Sequence, residues 1–138
     1  MEKITNFKHN CMIIRVRNES IAIRGNLYEA VRRCWRANMQ NAQEADYVLA
    51  IVGKPSEKDL EVKAVYKPDR WYYPADEGVC NKKKEECLEL YKTNTSLCRK
   101  HPRIAFEGKE IKNDTNYLHK QIPNAYYPLQ NPVRYTYN

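Results

Sequence analysis

The sequence predicts an α+β fold: a small mixed, mainly antiparallel sheet or open barrel, with one main helix and a helical insertion. Its 138 residues match the usual size of one domain, so we treat residues 1–138 as a single domain. Several apolar, β-rich runs are separated by turn residues, which favours hairpins over alternating βαβ units. One segment with helical spacing follows the first of these runs.

The first run and this segment are the predicted first strand and main helix. Residues 11–17 read Cys-Met-Ile-Ile-Arg-Val-Arg, a β-rich run whose side chains alternate between two faces. Asn26 can cap a helix, with Glu29 three residues later as in a capping box. Apolar residues then recur at helical spacing, so we predict a helix over residues 27–36.

The next two runs form the predicted centre of the sheet. Residues 47–52 are apolar on both faces, as in a central strand, and are followed by Gly53. Residues 60–67 alternate in the way typical of a half-buried antiparallel partner. Pro68 is expected to end that strand, and the aromatic residues 69–74 to form a structured loop.

The rest of the chain contributes smaller elements. Residues 76–101 are predicted to be an insertion with a polar start and a helical stretch. Residues 103–107 form a short strand candidate, and Asp114 can cap a short helix that runs to residue 120. Residues 133–137 are predicted to form a last strand at the edge of the sheet.

The sequence also bears on location and cysteine chemistry. The longest apolar run, residues 47–52, is far below the ~20 residues that span a bilayer, and the first residues lack the apolar region of a signal peptide. We therefore expect a cytoplasmic protein without membrane association. Five cysteines are an odd number, and without a secretory signal they predict free thiols rather than a disulfide framework.

Positive charge is concentrated in one part of the sequence. The net charge is +7, and residues 15–36 hold six arginines against two acids. Arginine offers a rigid donor fork that suits phosphate, and its guanidinium stacks on bases. A face that is merely solvated would also be charged, so this alternative stays open.

Five segments carry a resemblance to known proteins. They resemble a set found in small uncharacterised bacterial and phage proteins, and they cover most of the chain outside residues 76–101: residues 33–35, 45–52, 65–71, 106–108 and 131–135. The order of elements and the aromatic loop are also similar to the PUA-like group, which includes the EVE and ASCH modules. That likeness implies a small barrel that binds RNA or modified bases, and it assigns no binding residue.

Arginine and aromatic side chains together suggest a binding site for nucleic acid or a nucleotide, because bases stack on aromatic rings while Arg holds phosphate. Trp35 lies on the apolar stripe of the predicted helix, so we expect it to pack in the core. The alternative is a pocket that sequesters a nucleotide signal in a conflict between phage and host defence. The predicted ligand-binding residues are Arg24, Arg32, Arg36, Arg70, Trp71, Tyr72 and Arg134.

Two sets of residues are candidates for metal chemistry. Asp46, Glu61 and Lys63 match a loose pattern of metal-dependent nucleases, in which two acids hold a divalent ion and Lys steadies charge. The polar face of a half-buried strand explains the same residues, and the chain has no nucleophile elbow or phosphate-cradling glycine loop. We therefore expect a binding protein rather than an enzyme.

The second set consists of four potential zinc ligands within residues 80–101: Cys80, Cys87, Cys98 and His101. Their spacing contains no Cys-x-x-Cys pair, so ordinary free thiols are the competing interpretation. No cofactor is predicted. The sequence carries no specific signature of a homodimer and leaves that assembly open.

Overall fold

The computed structural model describes residues 2–73, 103–127 and 131–137, and these form one α+β unit. Short helices alternate along the chain with the six strands of one sheet. The elements are β1 (Cys11–Val16), α1 (Asn18–Arg24), α2 (Leu27–Val31), β2 (Arg33–Trp35), α3 (Met39–Gln43), β3 (Tyr47–Val52), β4 (Val62–Tyr72), β5 (Ile104–Glu110), a 3-10 turn (Asn124–Tyr126) and β6 (Val133–Tyr135).

The strands are ordered β2-β5-β4-β3-β1-β6, and the sheet is open, with β2 and β6 at its two edges. Only β1 and β3 are parallel neighbours among the described strands; the other neighbouring pairs are antiparallel. The α+β class and the mainly antiparallel sheet are therefore confirmed. The β3–β4 hairpin and the edge strand β6 also lie where the sequence predicts them.

One face of the sheet is covered by the three short helices, and we call it the helical face. Met12, Val48, Tyr66 and Phe106 from four neighbouring strands are buried there, together with Val31 of α2. Each α-helix has seven residues or fewer, which is too short for stability in isolation, so burial against the sheet must hold it in place.

The opposite face, which we call the loop face, is covered by the N-terminal segment and by residues 111–127. Ile13 and Leu49 are buried there under Tyr117, which is inaccessible to solvent. The Tyr117 hydroxyl accepts hydrogen bonds from the backbone N–H groups of Lys8 (3.0 Å) and His9 (3.1 Å). One side chain thus joins the two covering segments.

The helix predicted over residues 27–36 is wrong in its second half. Asn26 caps the helix as expected, accepting from the N–H of Glu29 at 2.8 Å, but the helix ends at Val31. The next residues form β2, which pairs with the edge of β5. This pairing satisfies backbone N–H and C=O groups of β5 that a longer helix would leave exposed to water. Trp35 still packs against the helical face, and its Nε1–H donates to the carbonyl of Val31 at 2.6 Å.

The predicted end of β4 at Pro68 is also wrong, because β4 continues to Tyr72. The last residues of β3 and β4 that pair here are Val48 and Tyr66. Pro68 therefore lies beyond the last residue paired with β3, where β3 offers no carbonyl that requires a backbone N–H. On its other side β4 continues to pair with β5. A register shift between Pro68 and Arg70 absorbs one residue, so the expected aromatic loop belongs largely to a strand.

Residues 114–120 form turns and not the predicted helix. The Asp114 carboxylate does act as a cap, accepting from the N–H groups of Tyr117 (2.7 Å) and Leu118 (2.9 Å). His119 then adopts a positive φ of 65°, which a helix cannot contain. The helices α1 and α3 were not predicted, and the expected insertion over residues 76–101 lies outside the described residues.

Candidate functional site

A cleft opens where β4 extends past the start of β3. It has a volume of about 310 Å³ and lies beside the end of α3, and we call it the Trp71 cleft. Its walls are Gln43, Ala45, Pro68, Asp69, Arg70 and Trp71.

The bulge in β4 decides which way the side chains of this cleft point. After the register shift, Arg70 lies opposite Glu107 and Trp71 lies opposite Phe106. Adjacent residues of a strand point to opposite faces, so Trp71 joins Phe106 on the helical face and Arg70 points to the loop face. One short segment therefore offers a ring on one side and a cation on the other.

Gly108 allows this bulge because it has no side chain. A Cβ at this position would lie 2.3 Å from the backbone oxygen of Lys67, a contact that would force the two strands apart. The Gly108 N–H donates to the Tyr28 hydroxyl at 3.1 Å instead of entering a regular ladder. The geometry of the cleft thus depends on a residue about forty positions away in the sequence.

Trp71 is partly buried and has an unused donor. Its ring centroid lies 5.0 Å from that of Phe106. Its Nε1–H is buried and has no hydrogen-bond partner among the residues that the structure describes, whereas Trp35 donates to a backbone carbonyl. A buried donor without an acceptor costs about 1–3 kcal/mol, so a ligand whose entry turned the ring and gave this N–H an acceptor would be stabilised.

Arg70 is held in a fixed orientation on the surface. Its side chain is 48% exposed, and its Nε and Nη2 donate to the two carboxylate oxygens of Glu107 at 3.0 and 3.3 Å. Its guanidinium lies 4.5 Å from the centre of the Tyr72 ring. The hydrogen bond from Arg70 lowers the pKa of Glu107, which keeps the pair ionised.

Two lysines extend this charged surface along the strands. Lys67 and Lys109 lie directly opposite each other on β4 and β5, and both are exposed. Lys109 is two residues from Glu107 and therefore shares its face. Like charges in direct opposition destabilise a sheet, so this pair does not serve stability. We call Lys67, Arg70 and Lys109 the basic strip.

Four of the seven predicted ligand-binding residues lie together here, and three of them, Arg32, Arg70 and Tyr72, are engaged within the protein. Arg32 is 14% exposed and donates to Glu29 at 3.2 Å and to the Tyr72 hydroxyl at 2.7 Å. Tyr72 is only 8% exposed. Its ring, covered by Arg70, gives a base no face to stack on, so Arg70 and Trp71 are the two that face the cleft.

The other three predicted residues lie elsewhere. Arg24 ends α1, and Arg36 follows β2. Arg134 lies on β6, three strands from β4, or roughly 14 Å away at ~4.8 Å per strand. Its guanidinium lies 5.6 Å from the Tyr126 ring and donates to the Tyr126 carbonyl at 3.2 Å.

Sequence reasoning missed the remaining walls of the cleft and two members of the basic strip: Gln43, Ala45, Pro68, Asp69, Lys67 and Lys109. The available signal was a proline inside an apolar, alternating run. Such a proline marks either the end of a strand or the point where a strand loses one neighbour, and the sequence does not distinguish the two.

The structure does not bring the nuclease candidates together. Asp46 precedes β3, where its carboxylate accepts from the N–H of Asn10 at 2.9 Å. Glu61 lies at the other end of the β3–β4 hairpin, roughly 20 Å away along the strand at ~3.3 Å per residue. Glu61 instead contacts Lys63 (3.6 Å) and His119 (2.9 Å). Among the described residues, no group of three His, Cys, Asp or Glu side chains could hold a metal ion.

Cys11 adds no reactive group to this site. The four zinc candidates, Cys80, Cys87, Cys98 and His101, lie outside the described residues. Cys11 is inaccessible to solvent, and burial raises the pKa of its thiol to about 12. A thiol with this pKa stays protonated at neutral pH and is not a nucleophile.

No helix in the described part of the chain is long and apolar enough to cross a bilayer. Comparisons of the chain with protein-family models, with curated proteins and with solved structures give no match. The resemblance to the PUA-like group therefore stays a prediction made from the sequence.

Proposed function

We propose that this protein is a cytoplasmic binding module for nucleic acid or for a modified base or nucleotide. A base enters the Trp71 cleft on the helical face, and the phosphates that follow it pass round the edge of β4 that β3 leaves unpaired, to the basic strip on the loop face. The observation that carries the proposal is the buried Trp71 Nε1–H in a cleft whose other walls include a carboxylate, an amide and a guanidinium.

The size and lining of the cleft favour a single base. Its volume of about 310 Å³ is at the lower end of the range for small-molecule pockets, enough for one nucleoside. The Trp71 indole offers a donor, Asp69 offers acceptors and Gln43 offers both. A base edge that presents donors and acceptors together, as in a purine, finds partners on these walls.

A base can reach the cleft only when it is unstacked, so the proposed ligand is single-stranded or has a flipped nucleotide. The basic strip suits the backbone of such a strand. Its opposed lysines repel each other in the free protein, and bound phosphates would relieve that repulsion. Binding should therefore weaken as salt concentration rises.

The direct test is the affinity of short labelled single-stranded DNA and RNA, measured by fluorescence anisotropy. Trp71→Phe keeps a ring against Phe106 but removes the indole donor, and Arg70→Gln removes the cation. We expect each change to weaken binding by about tenfold, the order of one lost base or charge contact.

Arg134→Gln is the matched control, because Arg134 also lies over a tyrosine ring but at the far side of the sheet. It should bind like the unchanged protein. Equal affinities for all three variants would contradict the proposal, as would the absence of binding at low salt.

A free nucleotide is the second candidate ligand, since the cleft volume fits one nucleotide as well as one base of a strand. This corresponds to a protein that sequesters a nucleotide signal in phage defence. Lys109→Gln distinguishes the two: it should lower the salt slope of strand binding by about one, but leave the affinity for a mononucleotide nearly unchanged. The separation of Asp46 from Glu61 gives nuclease activity no support, and we do not propose it.

A further inference from the structure

A second, smaller cavity lies on the loop-face side, away from the Trp71 cleft. It has a volume of about 170 Å³ and is formed between the N-terminal segment and the turns that follow Asp114. Its walls are Glu2, Lys3, Ile4, Thr5, Asn6, Lys8, Asn116, Tyr117 and Lys120.

Backbone hydrogen bonds hold both walls of this cavity in place. Ile4 donates to the carbonyl of Gln121 at 2.9 Å, and Gln121 donates to that of Glu2 at 2.8 Å. At the other end, the N–H of Lys8 donates to the buried Tyr117 hydroxyl. The backbone of the cavity is thus preformed, so only side chains need to be ordered when a ligand binds, which favours affinity.

The lining carries an excess of positive charge. Three lysines face one glutamate, and each lysine is in a different situation. Lys120 pairs with Glu2 at 3.5 Å, and Lys3 pairs with Asp59 at 3.6 Å. Lys8 is exposed and makes no ion pair within residues 2–73, 103–127 and 131–137. An anion in the cavity would give Lys8 a partner and offset the excess.

The uncharged polar lining consists of small donor groups. Thr5, Asn6 and Asn116 bring a hydroxyl and two amides, and none of the three side chains bonds to a described residue. The volume corresponds to about five to six water molecules and is well below the ~300 Å³ at which pockets for larger organic ligands begin. Such a cavity suits a compact oxyanion and excludes a base with its sugar.

We propose that this cavity binds a phosphate group, either as the free ion or as the terminal phosphate of a monoester. Lys8 supplies the main charge contact, and the amides and hydroxyl orient the oxygens. This site is independent of the Trp71 cleft.

Calorimetric titration of the full chain with inorganic phosphate, at constant ionic strength set by chloride, tests the proposal. We expect saturable binding, and a Lys8→Gln variant should bind about tenfold more weakly because one charge-assisted contact is lost. The thermal midpoint of the unchanged protein should also rise with phosphate concentration, since the ligand binds the folded state.

Lys112→Gln is the matched control, an exposed lysine on the neighbouring turn that does not line the cavity. It should bind phosphate like the unchanged protein. A nucleoside monophosphate that binds this site as tightly as the free ion indicates a terminal phosphate ligand, and binding of the free ion alone indicates inorganic phosphate.

No binding beyond that of chloride, or an equal loss in the Lys8 and Lys112 variants, would overturn the proposal. Trp71→Phe separates this result from the function proposed above. It should weaken oligonucleotide binding while leaving inorganic phosphate binding unchanged, so either proposal can fail alone.

Discussion

Glu61 links the start of β4 to the turn that covers it. Its carboxylate lies 2.9 Å from His119 Nδ1 and 3.6 Å from Lys63 Nζ, and its side chain is 19% exposed. The hydrogen bond with His119 is the largest cause that lowers the pKa of Glu61, and the charge of Lys63 adds to it. A carboxylate with a lowered pKa in the folded state stabilises the protein above its unfolded pKa, and this contribution is lost as the pH falls through the folded value.

We expect Glu61→Gln to lower the free energy of unfolding by about 0.5–1 kcal/mol at neutral pH, the size typical of a solvent-screened ion pair. The difference from the unchanged protein should begin to close as the pH falls below the ordinary Glu pKa of about 4.3, and should vanish once the pH is below the lowered pKa of the folded state. Urea unfolding at a series of pH values measures it. Glu110→Gln, on the exposed end of β5, is the control, and a difference that did not change with pH would contradict the assignment.

The two tryptophans show that residue type alone does not fix a role. Trp35 satisfies its indole N–H within the protein and packs against the helical face as expected, although it lies on β2 and not on the apolar stripe of a helix. Trp71 packs on the same face but keeps its donor unpaired among the described residues. No local pattern distinguishes them, because the difference depends on whether a carbonyl lies nearby in three dimensions.

Among the elements, β4 was predicted from the sequence in its first part but not in its continuation past Pro68. Its alternation up to Tyr66 predicted the strand and its pairing with β3. Its continuation past Pro68 depends on where β3 stops and on a glycine in β5, and neither is visible in the local sequence. The same reasoning applies to β2, since the open edge of β5 ends the helix that the apolar spacing would have extended to residue 36.

Gly108 gives this element a direct test. We expect Gly108→Ala to lower the free energy of unfolding by about 1–3 kcal/mol, because its Cβ meets the backbone of Lys67, which can move only with the strand. Gly53→Ala is the control, since its Cβ would meet mainly side-chain atoms of Leu60 and Glu57, which can shift. Chemical denaturation compares the two. An equal or smaller loss for Gly108 would contradict the close approach at the bulge.

At the scale of the whole molecule, the α+β class and the mainly antiparallel sheet could be predicted from hydrophobic periodicity. The parallel pairing of β1 with β3 could not be predicted. The residues between these strands, 17–46, form three short helices and β2, and β2 pairs at the far edge of the sheet. Short helices of this kind are stabilised by tertiary packing and leave only weak local signals.

The distribution of positive charge on the folded protein also differs from its distribution along the sequence. The arginines of residues 15–36 do not form one surface. Arg15 is 6% exposed and donates to the carbonyl of Gly53 at 3.1 Å, and Arg32 is held by Glu29 and Tyr72. The basic strip lies instead on β4 and β5. Clustering along the sequence therefore does not predict which cations become neighbours, since strand order decides it.

The most direct test of the proposed function follows the two indole N–H groups by proton–nitrogen NMR during titration with short single-stranded oligonucleotides and mononucleotides. The Trp35 signal is an internal control, because its N–H already donates to the carbonyl of Val31 and Trp35 does not line the cleft. We predict that the Trp71 signal shifts on binding as its donor gains an acceptor, while the Trp35 signal stays in place. Binding that left the Trp71 signal unmoved would contradict a base in the Trp71 cleft.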